Sequence, residues 1–358
     1  MKKLVFVAFI TILTSACMRD DVSQNEDFYF DGKGIFVTNE GNFMYGNSTL
    51  SYYIPDKKKM VNDVFYRANG IPLGDVAQSM VVRNGIGYIV VNNSGKVYAI
   101  DIRTFKIVGK ITGLTSPRHM HFISDDKAYI TDLYAKAITI VNPKTYTITG
   151  RIDVANTASP FPQHSTEQLV AYKNLIFTNC WMYDNQILVL DSNTDSVIDS
   201  ITVRIQPRSM VLDANGKLWV LTDGGYEGNS YGYEEPSLCR IDAETRRVEQ
   251  TFLFTKGDAP TDLAINGTRD TIYYINKHIW RMGVSERQIP AEPFIPVGRG
   301  TTKERLLYGL DVEPVTSELY VLDAIDYVQR GVMYRYSPKG VALDSSKVGV
   351  IPGAFCFR

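Results

Sequence analysis

Three observations predict an all-β fold: a seven-bladed β-propeller of four-stranded antiparallel blades, its ring closed by the C-terminal strand. One strand phrase recurs seven times, its period is that of a propeller blade, and the last residues supply a strand that the first blade lacks. The phrase reads GIFVTN from Gly34, IGYIVVN from Ile86, KAYITD from Lys127 and NLIFTN from Asn174. It continues as KLWVLTD from Lys217, TIYYIN from Thr271 and ELYVLD from Glu318. Each copy is β-branched or aromatic and ends on Asn or Asp, residues that readily leave a strand for a turn. Measured at Phe36, Tyr88, Tyr129, Ile176, Trp219, Tyr273 and Tyr320, the steps run from 41 to 54 residues. Self-similarity at about 40–50 residues marks a propeller or a similar array.

At 358 residues with 44% hydrophobic content, the chain has ample material for a core. Its 38 basic and 39 acidic residues leave a net charge of −1, and nothing in that balance suggests the electrostatic capture of nucleic acid, which usually needs a basic face. Residues 1–16 read as an export signal. Lys2 and Lys3 begin it, and Leu4 to Leu13 form an apolar run too short to span a bilayer. Thr14-Ser15-Ala16 lead into Cys17 in the manner of a bacterial lipobox, with Thr14 at the place Leu usually holds. Residues 17–29 are then expected to be a lipidated, flexible tether, polar and acidic in MRDDVSQNED. A cleaved signal followed by an incidental cysteine is the plainer alternative.

The propeller is expected over 30–358. In each unit the innermost strand often opens on Pro, as in SPRHMHF at 116, QPRSMVL at 206 and APTDLAI at 259. The repeated phrase is the second strand. The third reads KVYAID, AITIVN, QILVLD, SLCRID, HIWRMG and VMYRYS in turn, and a fourth such as KIVGKI or TITGRI follows a polar turn. GIFVTN has no innermost strand before it, and IPGAFCF at 351–357 matches what is missing, so the C-terminus is expected to complete the first blade and remove an open edge. Cys180, Cys239 and Cys356 fall in three blades, which argues against a disulfide framework. Neither a CxxC nor a spaced Cys/His set is present, and no metal site is expected.

The phrases KVYAIDIRTFKIVGKI and SLCRIDAETRRVEQTF resemble the YVTN family of bacterial β-propellers, a likeness that covers about residues 30–358. The resemblance implies the fold and says little about activity.

In such a ring the links between second and third strands share a face with the links entering the innermost strands. On that face the sequence is rich in aromatics. The second-to-third links carry Phe43 and Tyr45, Tyr134, Trp181 and Tyr183, then Tyr226, Tyr231 and Tyr233, and finally Tyr327. The entry links add Arg118, His119, Phe161, His164, Arg208 and Tyr308. Aromatics on Gly- and Asn-rich loops have no core to fill, and gathered together they mark a binding surface. For any one of them, packing against its own loop is the plainer reading. Asp184, Asp223 and Asp326 are explained by turn chemistry. No catalytic motif of nucleophile, triad or phosphate loop appears, so no catalytic residue is assigned and no enzyme is expected.

With the length and the acidic tether, these features resemble the surface-exposed cobalamin-binding propeller lipoproteins of gut bacteria. The resemblance implies a cell-surface, outer-membrane protein held by a lipid on Cys17. Such a protein would capture cobalamin (vitamin B12) or other corrinoids and hand them to a TonB-dependent outer-membrane transporter. No cofactor would be required. The nine link aromatics would touch the ligand, with Arg118 and Arg208 at its polar edge. The alternatives are a propeller enzyme, lactonase-like or quinone-dependent, or a glycan-binding lipoprotein. An enzyme would use the central opening, where Gln78, His119, Glu167, Ser209, Asp262 and Gly309 are the candidates.

Overall fold

The computed structural model describes residues 28–157, 161–298 and 305–358. The export signal, Cys17 and most of the expected tether lie outside these residues. Seven antiparallel sheets follow one another along the chain, six of four strands and one of three. The repeated phrases are the second strands: Ile35–Asn39, Ile86–Val91, Ala128–Asp132, Leu175–Cys180, Lys217–Thr222, Thr271–Asn276 and Leu319–Asp323. They are buried along nearly their whole length. A neighbouring blade covers each face, which is why the phrase reads as a continuous apolar run and not as an alternation.

The core is accordingly divided into seven clusters, one at each joint between blades. Phe36, Tyr52, Ile89 and Phe105 fill the joint of the first and second blades. Ile35, Tyr53, Tyr320 and Met333 fill that of the seventh and first. Fully burying one such side chain stabilises the fold by about 1.5–3 kcal/mol, and every cluster draws its residues from two blades.

Closure follows the expected route. Pro352–Phe357 pairs antiparallel with Ile35–Asn39, Phe357 opposite Ile35 and Ala354 opposite Thr38. Arg358 latches the joint: its Nη1 donates to the carbonyl oxygens of Phe30 at 2.6 Å and Ile102 at 3.3 Å, and to Tyr52 Oη at 3.2 Å.

Three details differ from expectation. The sixth sheet stops at three strands, Leu263–Ile265, Thr271–Asn276 and His278–Gly283. The segment that would form its outer strand carries Pro290, Pro293 and Pro296, which remove ladder donors. It touches the sheet at one rung, Ile279 with Ile295. A short helix, Val64–Asn69, crosses between the first two blades. Packing also begins before residue 30, since Phe28 stacks on Phe30 at 5.8 Å and leans on Phe105 at 5.4 Å. No helix among the described residues is long and apolar enough to cross a membrane.

Candidate functional site

The innermost strands are Ala77–Arg83, Pro117–Phe122, Thr166–Tyr172, Pro207–Leu212, Leu263–Ile265, Leu307–Val312 and Pro352–Phe357. In three of them Pro occupies the first position, where no ladder donor is needed. In six, the pairing with the second strand slips by one residue just after the start. A β-bulge of this kind re-aims the side chain it holds. Gln78, Arg118, Glu167, Arg208, Tyr308 and Gly353 sit at these slips, and all six line an axial cavity of about 430 Å³. One residue further along the strands come His119, Gln168 and Asp262, then a belt that includes Met80, Met120, Met210 and Phe355, then His121 and Asp311.

The mouth is charged and internally bonded. Arg118 Nε donates to Glu167 Oε2 at 2.8 Å, and its Nη1 donates to Gln78 Oε1 at 2.6 Å. Arg208 lies 5.0 Å over the Trp181 ring. It also reaches Asp223 Oδ2 at 3.4 Å, and the Trp181 indole donates to the same oxygen at 3.3 Å. Tyr308 donates to Glu40 at 3.3 Å and meets the Tyr327 ring edge-on at 5.9 Å. A Cβ at Gly353 would stand 2.8 Å from Glu40 Oε1, so glycine there leaves the carboxylate its room. Glu167 Oε1 and Thr261 Oγ1 are buried with no partner among the described residues.

Burial sets the protonation of the channel. It pushes Glu40 up to about 7 against the pull of Arg118, Asp311 up to about 7, and Asp262 up to about 6 despite amide donation from Leu310 and Leu263. It also raises Glu167, opposed by Arg118. Burial, with the Arg118 charge beside it, takes His119 down to about 3. Its 3.8 Å approach to Glu167 is therefore not an ion pair at neutral pH.

Of the residues expected to form a binding face, Arg118, Trp181 and Arg208 line the channel. The other aromatics lie outside its lining. Phe43, Tyr45, Tyr134, Tyr226 and Tyr327 project to solvent, from 43% exposed at Tyr327 to 79% at Tyr45. Tyr183 stacks on Phe161 with ring centroids 4.5 Å apart and hydrogen-bonds Tyr226. Tyr231 and Tyr233 are half-buried and engaged nearby: Tyr231 donates to Asn185 Oδ1 at 3.2 Å, and Lys256 Nζ sits 4.6 Å over the Tyr233 ring. The turn reading of the aspartates holds for one oxygen of each. Asp184, Asp223 and Asp326 accept backbone N–H groups through Oδ1, while Oδ2 of Asp184 and of Asp223 serves side chains. Ser209 ties Asp262 at 3.1 Å.

Glu40 and Asp311 were not among the residues expected on this face, whereas Tyr308 was expected on an entry link and does line the channel. Tyr308 occupies the position after the strand start that Arg118 and Arg208 hold in their blades, a recurrence visible in SPR and QPR. Glu40 directly follows a second strand and reads as loop.

Residues 33–334 match the family described as "Domain of unknown function (DUF5074)". The chain belongs to the DUF5074 family. Comparison with curated proteins finds no match. Among solved structures, a quinonprotein alcohol dehydrogenase-like protein from Bacteroides thetaiotaomicron superposes with a TM-score of 0.69 at 15% identity, covering 91% of this chain and 79% of that one. A protein from Lactobacillus plantarum gives 0.66 at 11%, covering 91% and 98%. A catalytically inactive virginiamycin B lyase from Staphylococcus aureus, with quinupristin, gives 0.61 at 12%, covering 84% and 93%. At these identities the likeness shows the fold of the DUF5074 chain alone.

Proposed function

We propose that this DUF5074 propeller is a cell-surface lipoprotein that captures a corrinoid, cobalamin, across the mouth of its channel. In this reading it is anchored to the outer membrane through Cys17 and passes the ligand to a TonB-dependent transporter. The observation that carries the reading is the mouth itself: exposed link aromatics stand on the face where a polar channel opens between Arg118, Arg208 and Trp181. A corrinoid is a broad disc edged with amide arms. Its face suits aromatic side chains, and its amides suit hydrogen-bonding groups set in a concave site. Glu167 Oε1 and Thr261 Oγ1, buried and unpartnered among the described residues, offer an acceptor and a hydroxyl to such arms. Capture of this kind needs neither catalysis nor a resident cofactor.

The test is spectroscopic. Purified protein incubated with cobalamin and desalted is expected to retain the chromophore at about one per chain, and Trp181→Ala is expected to weaken binding about tenfold. Protein that elutes colourless, with no heat of binding at micromolar concentration, would sink the proposal. A second reading, a lactonase-like or quinone-dependent enzyme, draws on the half-buried carboxylates Glu40, Asp262 and Asp311 along the axis, whose protons are held more tightly than usual. Turnover lost in Asp262→Asn, without cobalamin retention, would favour it.

A further inference from the structure

A second polar cluster lies in the fourth blade, outside the lining of the channel. His164 belongs to the link that enters the innermost strand. Cys180 ends the second strand, and Asp184 lies in the link that follows. The ladder gathers them, since Thr166 pairs with Cys180 and Trp181 N–H donates to the Ser165 carbonyl at 3.0 Å. A ring nitrogen of His164, Sγ of Cys180 and a carboxylate oxygen of Asp184 all lie within 4.8 Å of one another. Cys180 and Asp184 are buried, and His164 is half-buried with its Nδ1 2.6 Å from Asp184 Oδ2.

We propose that His164, Cys180 and Asp184 are the protein ligands of a divalent transition-metal ion of the zinc type. The donor set decides the class: a thiolate and an imidazole beside one carboxylate suit zinc, whereas calcium and magnesium want oxygens throughout. Three protein ligands leave a fourth tetrahedral position for water. The donor atoms lie within 4.8 Å of one another, against an edge of roughly 3.3–3.8 Å for a tetrahedron with zinc bonds of about 2.0–2.3 Å, so the metal draws Cys180 in and parts His164 Nδ1 from Asp184 Oδ2, now 2.6 Å apart. Two unsatisfied hydroxyls neighbour the cluster along the chain. Ser165 Oγ and Thr178 Oγ1 are buried with no partner among the described residues. Ser165 adjoins His164, and Thr178 stands two positions before Cys180 on the same face of its strand. Both hydroxyls are suited to the outer shell that orients ligands or a metal-bound water. On binding, the Cys180 thiol gives up its proton to solvent, so the site tightens as pH rises. The metal would staple the 161–165 link to the 181–184 link, fixing Trp181 and the Phe161–Tyr183 stack from below. The proposal stands whether or not that rim binds a corrinoid.

The experiment titrates the chelator-stripped full chain, free of corrinoid, with Co²⁺ as the spectroscopic probe and then with Zn²⁺ against a chromophoric chelator. One equivalent of Co²⁺ is expected to give a thiolate-to-metal band in the near ultraviolet together with four-coordinate visible bands, and Zn²⁺ to abolish both. Cys180→Ser should lose the thiolate band, while Cys239→Ser and Cys356→Ser should keep it. His164→Ala should weaken Zn²⁺ binding at least about tenfold. Absence of a thiolate band in wild-type protein whose circular dichroism reports a folded chain would overturn the site without any variant. Persistence of the band in Cys180→Ser would overturn it equally. Cobalamin retention is scored separately and decides only the reading of the mouth.

Discussion

Arg118 shows how much one side chain settles at the mouth. It pairs with Glu167 and bonds Gln78 in surroundings nearly closed to water. Removing one partner of such a pair leaves a buried charge alone, at a cost of about 3–5 kcal/mol. Arg118→Ala is therefore expected to lower unfolding stability by about 3 kcal/mol in urea titration, and adding Glu167→Gln to recover part of the loss. The channel carboxylates give a pH signature. Glu40, Asp262 and Asp311 hold protons in the fold at pH values where the unfolded chain has released them. Their contribution is fully present below the ordinary carboxylate range and is lost as pH rises through about 6–7. The thermal midpoint should fall between about pH 4.5 and 7.5, and Asp311→Asn should flatten the slope. Asp242, drawn down to about 2 chiefly by Lys217, acts in the opposite sense but only in strong acid. The charged lining could not be read fully from the chain. Arg118 and Arg208 were legible beside their prolines, but Glu40 looks like any loop acid, and His164 with Cys180 carries no ligand spacing because a hairpin separates them.

At the level of the strand, the second strands and the missing innermost strand were legible, because apolar runs and an unmatched tail leave marks in the sequence. The bulges were not. One extra residue in a pairing changes where Gln78, Arg118 and Tyr308 point while leaving the pattern of residue types intact. The short sixth sheet was legible in principle from its prolines, which read as punctuation once the segment is tested as a strand. The closing strand gives the sharpest prediction here. Deleting residues 351–358 strips the first sheet of its innermost member and the latch of Arg358. Loss of the cooperative thermal transition is expected by circular dichroism, with rapid cleavage in limited proteolysis. A deletion mutant that melts like the full chain would contradict this account of closure.

For the whole molecule, the division of the core into joints means that no blade owns a core of its own. A fragment covering residues 28–157 would expose half of the cluster at each of its ends, those of the seventh–first and third–fourth joints. It is expected to stay largely unstructured by amide hydrogen exchange, while the complete ring unfolds in one transition. The topology also orients the particle. Phe30 N–H bonds the Arg103 carbonyl at 3.0 Å, in a link between third and fourth strands, and Arg358 N–H bonds Gly34 at 3.0 Å where the second strand begins. Both ends of the folded chain thus emerge on the underside, away from the opening. A partner that docks on that underside would leave the channel open to solvent, whereas one that takes a ligand straight from the channel must cover the opposite face, where neither chain end stands in its way.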